Sequence, residues 1–273
     1  MCAPRIVRMA HDSAVHAARL SRRGLFGALG VVAAAVPVAA PASARSGSVV
    51  DLTHTLSPEL PVWPGNPPFA TIPVGWHAVG GFNRQALALW EHTGTHVDAP
   101  IHRDPGGISV DKLPAQDLVA PLIVLDISAR AASDADTMVT VADIDAFEAR
   151  HGRIPERAFV AMYSGWERRL AAPAAFLNLD AGGTPHAPGF AADAAKFLVT
   201  QRNIVGAGVD TLSLDHSSSR DFGAHTAFLG AGRYGVEMLA NLAAVPATGA
   251  TVVVGAPKHS GGTGGPCRVL ALT

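Results

Sequence analysis

The segment His92-Thr-Gly-Thr-His96-Val-Asp98-Ala-Pro-Ile-His102 constrains this chain more than any other. Its even positions carry His, Asp, Gly or Pro and its odd positions Thr, Val, Ala or Ile. That period of two gives a strand one apolar face and one face of metal-ligand chemistry. A helix would also put His92 and His96 on one side, but Gly94, Pro100 and the β-branched Thr93, Thr95 and Val97 all lower helix propensity. A straight strand fails too, because at roughly 3.3 Å per residue His92 and Asp98 would stand about 20 Å apart. The chain must bend, and Gly94 and Pro100 are the natural places. Three imidazoles and a carboxylate in so short a span point to a divalent cation held by nitrogen and oxygen, zinc or manganese first. One of the four could instead shuttle protons. The alternative is a polar edge strand that binds nothing.

The segment resembles the signature of the cyclase-like metal-dependent hydrolases, the family of bacterial kynurenine formamidase and isatin hydrolase, which reads His-x-Gly-Thr-His-x-Asp-x-Pro-x-His. His92, Gly94, Thr95, His96, Asp98, Pro100 and His102 match every fixed position. A second block of the family is matched by His225-Thr-Ala-Phe-Leu-Gly and Gly235-Val-Glu237-Met-Leu-Ala-Asn-Leu242, with the same gap of twelve from His to Glu. Carried over position by position, His92 and His96 resemble ligands of one ion, Asp98 and Glu237 resemble bridges between two, and His225 resembles a ligand of the second. His102 matches the general acid or base. Glu237 stands in an otherwise apolar run, where an unpaired carboxylate is costly and a cation is the economical partner; the other reading is a solvent-facing amphipathic turn. The resemblance implies two zinc ions, with manganese as the alternative, and a homodimer or homotetramer. It also implies an α/β fold, the swivelling β/β/α domain, a mixed sheet with flanking helices.

In Val62-Trp63-Pro64-Gly65 a large ring sits on a stiff turn. Trp63 either fills a core gap or, as a similar Trp-Pro-Gly segment of the formamidases implies, stacks on a planar substrate.

Residues 1–44 read as a leader. Ser21-Arg22-Arg23-Gly-Leu-Phe26 is a twin-arginine pattern, followed by an apolar run from Leu25 to Ala40 and the small-residue site Ala42-Ser43-Ala44. The run is short, broken by Pro37 and mostly Ala and Val, which disfavours a retained membrane anchor. The expectation is export by the twin-arginine route to a periplasmic or secreted location, with residues 45–273 as a single catalytic domain. Loss of the leader would move the formal net charge from −1 to about −5, a surface that does not favour nucleic acid or anionic lipid. Cys2 would leave with the leader and Cys267 would remain alone, so no intramolecular disulfide is expected.

Along the mature chain, Ser48 to Leu52 reads as an opening strand and the proline-rich Leu56 to Pro68 as an ordered loop. Phe69 to Val79 and Phe82 to Trp90 suit two antiparallel strands joined through Gly80-Gly81. Leu118 to Ile127 and Phe159 to Tyr163 read as strands buried on both faces. Thr140-Val-Ala-Asp143 resembles a capping box opening a helix that stops at Gly152. Ala171 to Phe190 reads as a long loop, Ala191 to Arg202 as a helix and Ile204 to Val209 as a central strand leading to Asp210 through His216. Gly261 to Gly265 lacks the lysine and helix of a phosphate cradle and reads as the loop that returns Arg268 to Leu272 as the last strand. His54, His77, His151, His186, His216 and His259 match no part of the motif and read as structural or surface residues.

The resemblance implies hydrolysis of a small amide carbon–nitrogen bond by metal-activated water, arylformamidase type first. Glu237 bears on stoichiometry: two bridging carboxylates favour two ions, whereas the isatin-cleaving branch is identified with Gln there and one manganese. Arg103 follows His102 where formamidases place an aromatic residue, which keeps a cyclic amide of isatin type, or a lactone, as the rival substrate. A different class of reading is an exported metal or small-molecule binding protein without turnover.

Overall fold

The computed structural model describes residues 47–273; the expected leader and its cleavage site lie outside the described residues. In chain order the strands are β1 (Val49–Asp51), β2 (Ala70–Gly75), β3 (Arg84–Ala88), β4 (His96–Asp98), β5 (Val119–Asp126), β6 (Met138–Val139) and β7 (Phe159–Tyr163). They continue with β8 (Gly189–Phe190), β9 (Gly206–Val209), β10 (Tyr234–Glu237), β11 (Ala250–Gly255), β12 (Gly264–Pro266) and β13 (Arg268–Leu272). Nine form one mixed sheet in the order β1-β13-β11-β5-β7-β9-β10-β4-β12. Its middle strands β5, β7, β9 and β10 are parallel, and antiparallel strands extend it on both sides.

Only Cys267 separates β12, at one edge of this sheet, from β13, beside the other edge, so the sheet curls back on itself. The curl is tied by the Ala240 N–H, which donates to the Leu52 carbonyl at 3.0 Å, and by the Cys267 N–H, which donates to Thr95 at 3.0 Å. Side chains alternate across it. Ala120, Leu122, Val124, Phe159, Ala161 and Val236 pack inside the curl. Ile123, Leu125, Val160 and Met162 point outward, against the helices Val141–His151, Ala192–Arg202 and Gly223–Leu229. The unbroken apolar runs in β5 and β7 therefore follow from burial on both faces, at about 2 kcal/mol for each fully buried Leu or Phe. The capping box forms as its spacing predicts. Asp143 N–H donates to Thr140 Oγ1 and Thr140 N–H to Asp143 Oδ2, and the helix ends at Gly152.

Three expectations need correction. The hairpin exists, but β2 and β3 are shorter than expected and the one-turn helix His77–Gly80 lies between them, so the connection is more than a Gly-Gly turn. The 171–190 stretch contains the helix Pro173–Leu177 and ends in β8, which pairs with β6. The glycine run at 261–265 is not only a loop, because Gly264 and Gly265 belong to β12 and pair with Asp98 and Val97 of β4. Glycine allows that approach: a Cβ at Gly264 would come 2.8 Å from His92 Cε1.

Candidate metal centre

The site is built on two strands in register. In β4, Val97 enters the core while His96 and Asp98 face the other way, and in β10 Val236 does the same between Gly235 and Glu237. The register sets Glu237 opposite His96 and Gly235 opposite Asp98. The period-two reading thus holds for residues 96–98 only. Before them the chain bends at Gly94, φ +65°, where a Cβ would lie 2.5 Å from Leu56 Cδ2. After them Pro100–His102 forms a turn of 3-10 helix. Both bends fall where the sequence places them, and they bring His92 and His102 back over β4. His225 arrives from the helix Gly223–Leu229.

Two groups of ligand atoms result, His92 with His96 and Asp98, and Asp98 with His225 and Glu237; within each group the atoms lie within 4.8 Å of one another. Asp98 belongs to both. Its Oδ1 lies 2.6 Å from His92 Nδ1 and 3.3 Å from His96 Nε2, and its Oδ2 lies 3.5 Å from His225 Nε2. Glu237 divides likewise, with Oε2 3.3 Å from His96 Nε2 and Oε1 3.2 Å from His225 Nε2. The Leu214 N–H donates to Glu237 Oε1 at 2.9 Å and fixes that carboxylate.

Neighbouring hydrogen bonds set the imidazole tautomers. His96 Nδ1 lies 2.8 Å from the Gly94 carbonyl, an acceptor only, so it carries a proton. His225 Nδ1 lies 2.6 Å from Asp215 Oδ2 and is protonated for the same reason. In the neutral rings both Nε2 atoms then present lone pairs toward carboxylate oxygens. Lone pairs facing carboxylates in a dry site repel unless a cation lies between them. His96 Nε2 and Asp98 Oδ2 are buried without a hydrogen-bond partner, and Asp98 and Glu237 are themselves buried. Without a cation the demand falls on protons. Burial works against ionising His96, yet Asp98 and Glu237 outweigh it and push its pKa up to about 10. Burial likewise opposes charge on His225, but Asp215, Asp98 and Glu237 raise it well above the usual value. Burial would raise Asp98, and the surrounding imidazoles hold it well below. The donor set of nitrogen and carboxylate oxygen, with the His96 and His225 Nδ1–H groups anchored by a carbonyl and a carboxylate, fits one or two divalent ions of the zinc or manganese kind.

A cavity of about 310 Å³ opens above the cluster. His102 lines it, open to solvent on one side and packed on His92 on the other, with ring centroids 4.0 Å apart. Burial pushes its pKa below the ordinary imidazole value although Asp98 pulls the other way. Trp63 lines the cavity too, as do Trp90 and Phe222, so its ring faces open space rather than a core gap. All seven residues singled out in the sequence therefore meet at one place.

Sequence reasoning missed the supports. Asp215 accepts from the Ala224 and His225 N–H groups as well as from the His225 ring. Its position after a central strand was the only signal. Thr263 and Glu91, which reach the far side of His92, gave none. Of the histidines outside the motif, His186 pairs with Asp136 and Asp180, and His259 with Glu91.

A family model described as Putative cyclase matches residues 50–216, a stretch that ends before His225 and Glu237. The isatin hydrolase of Roseibium aggregatum is 36% identical over 241 residues, covering 82% of this chain and 91% of that protein. The kynurenine formamidase of Salinibacter ruber is 31% identical over 228 residues, covering 82% and 96%. Among solved structures, isatin hydrolase A from Labrenzia aggregata bound to benzyl benzoate superposes with a TM-score of 0.78 at 39% identity, over 83% of this chain and 93% of that one.

Proposed function

The chain belongs to the cyclase family, and from that premise we propose that it is a metal-dependent hydrolase of a small amide carbon–nitrogen bond, arylformamidase type. The observation that carries this reading is the pair of buried carboxylates, Asp98 and Glu237, each flanked by imidazole nitrogens whose protons are committed elsewhere. When bound, divalent ions supply activation of water near neutral pH and polarisation of a carbonyl. His92, His96 and Asp98 would hold one ion, and Asp98, His225 and Glu237 a second. Zinc is the first candidate for both and manganese the alternative.

The remaining steps belong to the chain itself. His102 faces the cavity, and burial holds its pKa below the ordinary imidazole value, so it can take a proton from the attacking water and return it to the departing nitrogen. Trp63 and Phe222 offer ring faces that exclude water and orient a planar substrate. No serine or cysteine nucleophile is required.

Glu237 supports an open N-aryl formamide as substrate, since a second buried carboxylate beside Asp98 would suit two ions. A second reading, a cyclic amide of isatin type, is supported by the 36% identity to an isatin hydrolase. A panel of formanilides, isatins and lactones offered to the zinc- or manganese-loaded protein decides between them. Turnover of formanilides with isatins untouched upholds the first reading, and the reverse upholds the second. No turnover of any of the three, with metal bound, leaves a binding protein.

Two further proposals accompany this reading. Export by the twin-arginine route rests on Ser21-Arg22-Arg23-Gly24-Leu25-Phe26, and N-terminal sequencing of the secreted chain tests it. A homo-oligomer is supported by the β2–β3 hairpin. Ile72, Val74, Trp76, Val79, Phe82 and Leu87 are all exposed on it, Val79 at 88%. Arg84 is the only Lys, Arg, Asp or Glu between residues 69 and 90, so a second copy of this chain is the fitting occupant of so apolar an arm.

A further inference from the structure

His92 differs from the other two imidazoles of the cluster in how its outer nitrogen is held. His96 and His225 give their outer N–H to a carbonyl and a carboxylate, whereas His92 Nε2 lies 2.9 Å from a hydroxyl, Thr263 Oγ1. A hydroxyl can donate or accept, so by itself it leaves the tautomer of His92 open. Glu91 removes that freedom. Its Oε2 lies 2.6 Å from Thr263 Oγ1 and, as a carboxylate oxygen, can only accept. The single hydroxyl proton goes to Glu91, Thr263 Oγ1 offers a lone pair to His92, and Nε2 must be the nitrogen that carries the ring proton. Nδ1 is then left with its lone pair aimed at Asp98 Oδ1, 2.6 Å away.

The surroundings hold this chain of bonds in place. The Thr263 N–H lies 3.2 Å from both Glu91 oxygens, and its carbonyl accepts from the Ala99 N–H at 2.9 Å. Next along, Gly264 pairs with Asp98 and lets the loop lie against the His92 ring. His259 Nε2 contacts Glu91 Oε1 from outside and leaves Oε2 for the hydroxyl. The segment from His259 to Gly264 is thus pinned against the adjacent pair Glu91 and His92.

We propose that Glu91 and Thr263 are positioning residues for the cation site, a carboxylate–hydroxyl relay that fixes His92 as the Nε2–H tautomer and so makes Nδ1 its ligating atom. The inference rests on the metal-site reading and adds to it the groups that set affinity on the His92 side. Outer partners of ligating histidines change metal affinity by about 10–100-fold.

The probe is Zn2+ alone, titrated calorimetrically into the chelated full chain. Thr263→Val should bind zinc at the His92 side about 10–100-fold more weakly, and Thr263→Ser, which keeps the hydroxyl, should restore wild-type affinity. Nitrogen-15 spectra of the zinc-loaded protein should place the His92 ring proton on Nε2 in the wild type and show that assignment lost in Thr263→Val, with His96 and His225 unchanged. Should Thr263→Val fail to fold, Glu91→Gln takes its place, with several-fold weaker zinc binding expected. Wild-type affinity in the folded Thr263 variant, or in Glu91→Gln, overturns the relay, as does an Nδ1–H tautomer of His92. Asp98→Asn separates the two layers: loss of zinc there together with full affinity in Thr263→Val defeats the relay alone. Wild-type zinc binding by Asp98→Asn defeats the metal-site reading beneath it.

Discussion

Glu237 stands opposite His96 in the register of β10 against β4, and Oε2 of the one lies 3.3 Å from Nε2 of the other. Cross-strand neighbours are the closest side-chain partners a sheet offers, and here the pair is an acid and a base, with Asp98 Oδ1 at the same 3.3 Å from the imidazole nitrogen. A one-residue slip would send Glu237 into the core and Val236 into the site. Gly235, opposite Asp98, leaves room for Leu214, whose N–H holds the Glu237 carboxylate. The strand pairing that closes the core is therefore also what assembles the ligand set.

His102 lines the cavity outside both groups of ligand atoms, and its proposed role is to move protons without holding a cation. Its replacement by Ala should lower kcat about 10²–10⁴-fold while metal content, measured by atomic emission, stays at the wild-type level. Because its pKa lies below the ordinary 6.5, the acid limb of kcat/KM should fall below that value and vanish in the variant. Loss of metal together with loss of rate would make His102 a ligand instead.

Trp63 should act through substrate binding. Trp63→Ala is expected to raise KM about tenfold with a smaller change in kcat, and Trp63→Phe to recover most of the loss. An unchanged KM for every aromatic amide tested would assign the ring to packing.

Much of this centre is legible in the chain because its signals are local. Gly94 and Pro100 announce the bends, and Val97 between His96 and Asp98 announces the face. The capping box at Thr140 and the double-sided burial of β5 and β7 read directly as well. What could not be read is non-local. Cys267 gives no hint that it joins a strand at one end of the sheet order to the strand beside the other end, and only the pairing of β12 with β4 brings Thr263 to His92. The Gly261–Gly265 run reads as a loop because composition cannot reveal the close approach of Gly264 to His92. Asp215 was visible only as one more acid after a strand, since its tie to His225 depends on where the helix Gly223–Leu229 docks.

The exposed hairpin predicts association. Light scattering should find the wild type larger than a single chain, and Ile72→Glu with Val79→Glu should reduce it to a monomer without loss of the folded far-ultraviolet spectrum. A wild type that is monomeric at assay concentrations would leave the hairpin without the occupant proposed for it.

Asp210 gives the fold a pH dependence of known sign. It is buried at the end of β9, where the Ser164 hydroxyl donates to it at 2.6 Å and the Ser164 and Trp166 N–H groups at 3.1 Å. Burial nevertheless pushes its pKa to about 6. Between the unfolded value, 3.8, and that one, the folded chain holds the proton more tightly, so the stability this carboxyl contributes falls as pH rises through about 6. In urea titrations the wild type should lose about 3 kcal/mol relative to Asp210→Asn between about pH 4 and pH 7. A difference that does not vary with pH would contradict the assignment.

The shared position of Asp98 is the claim on which the rest depends, and metal stoichiometry tests it most directly. Zinc titrated into the chelated protein should bind as two ions per chain and raise the melting temperature, with Glu237→Ala losing one ion and Asp98→Asn losing both. A wild type that takes up no zinc, or an Asp98→Asn variant that takes up as much as the wild type, would contradict it.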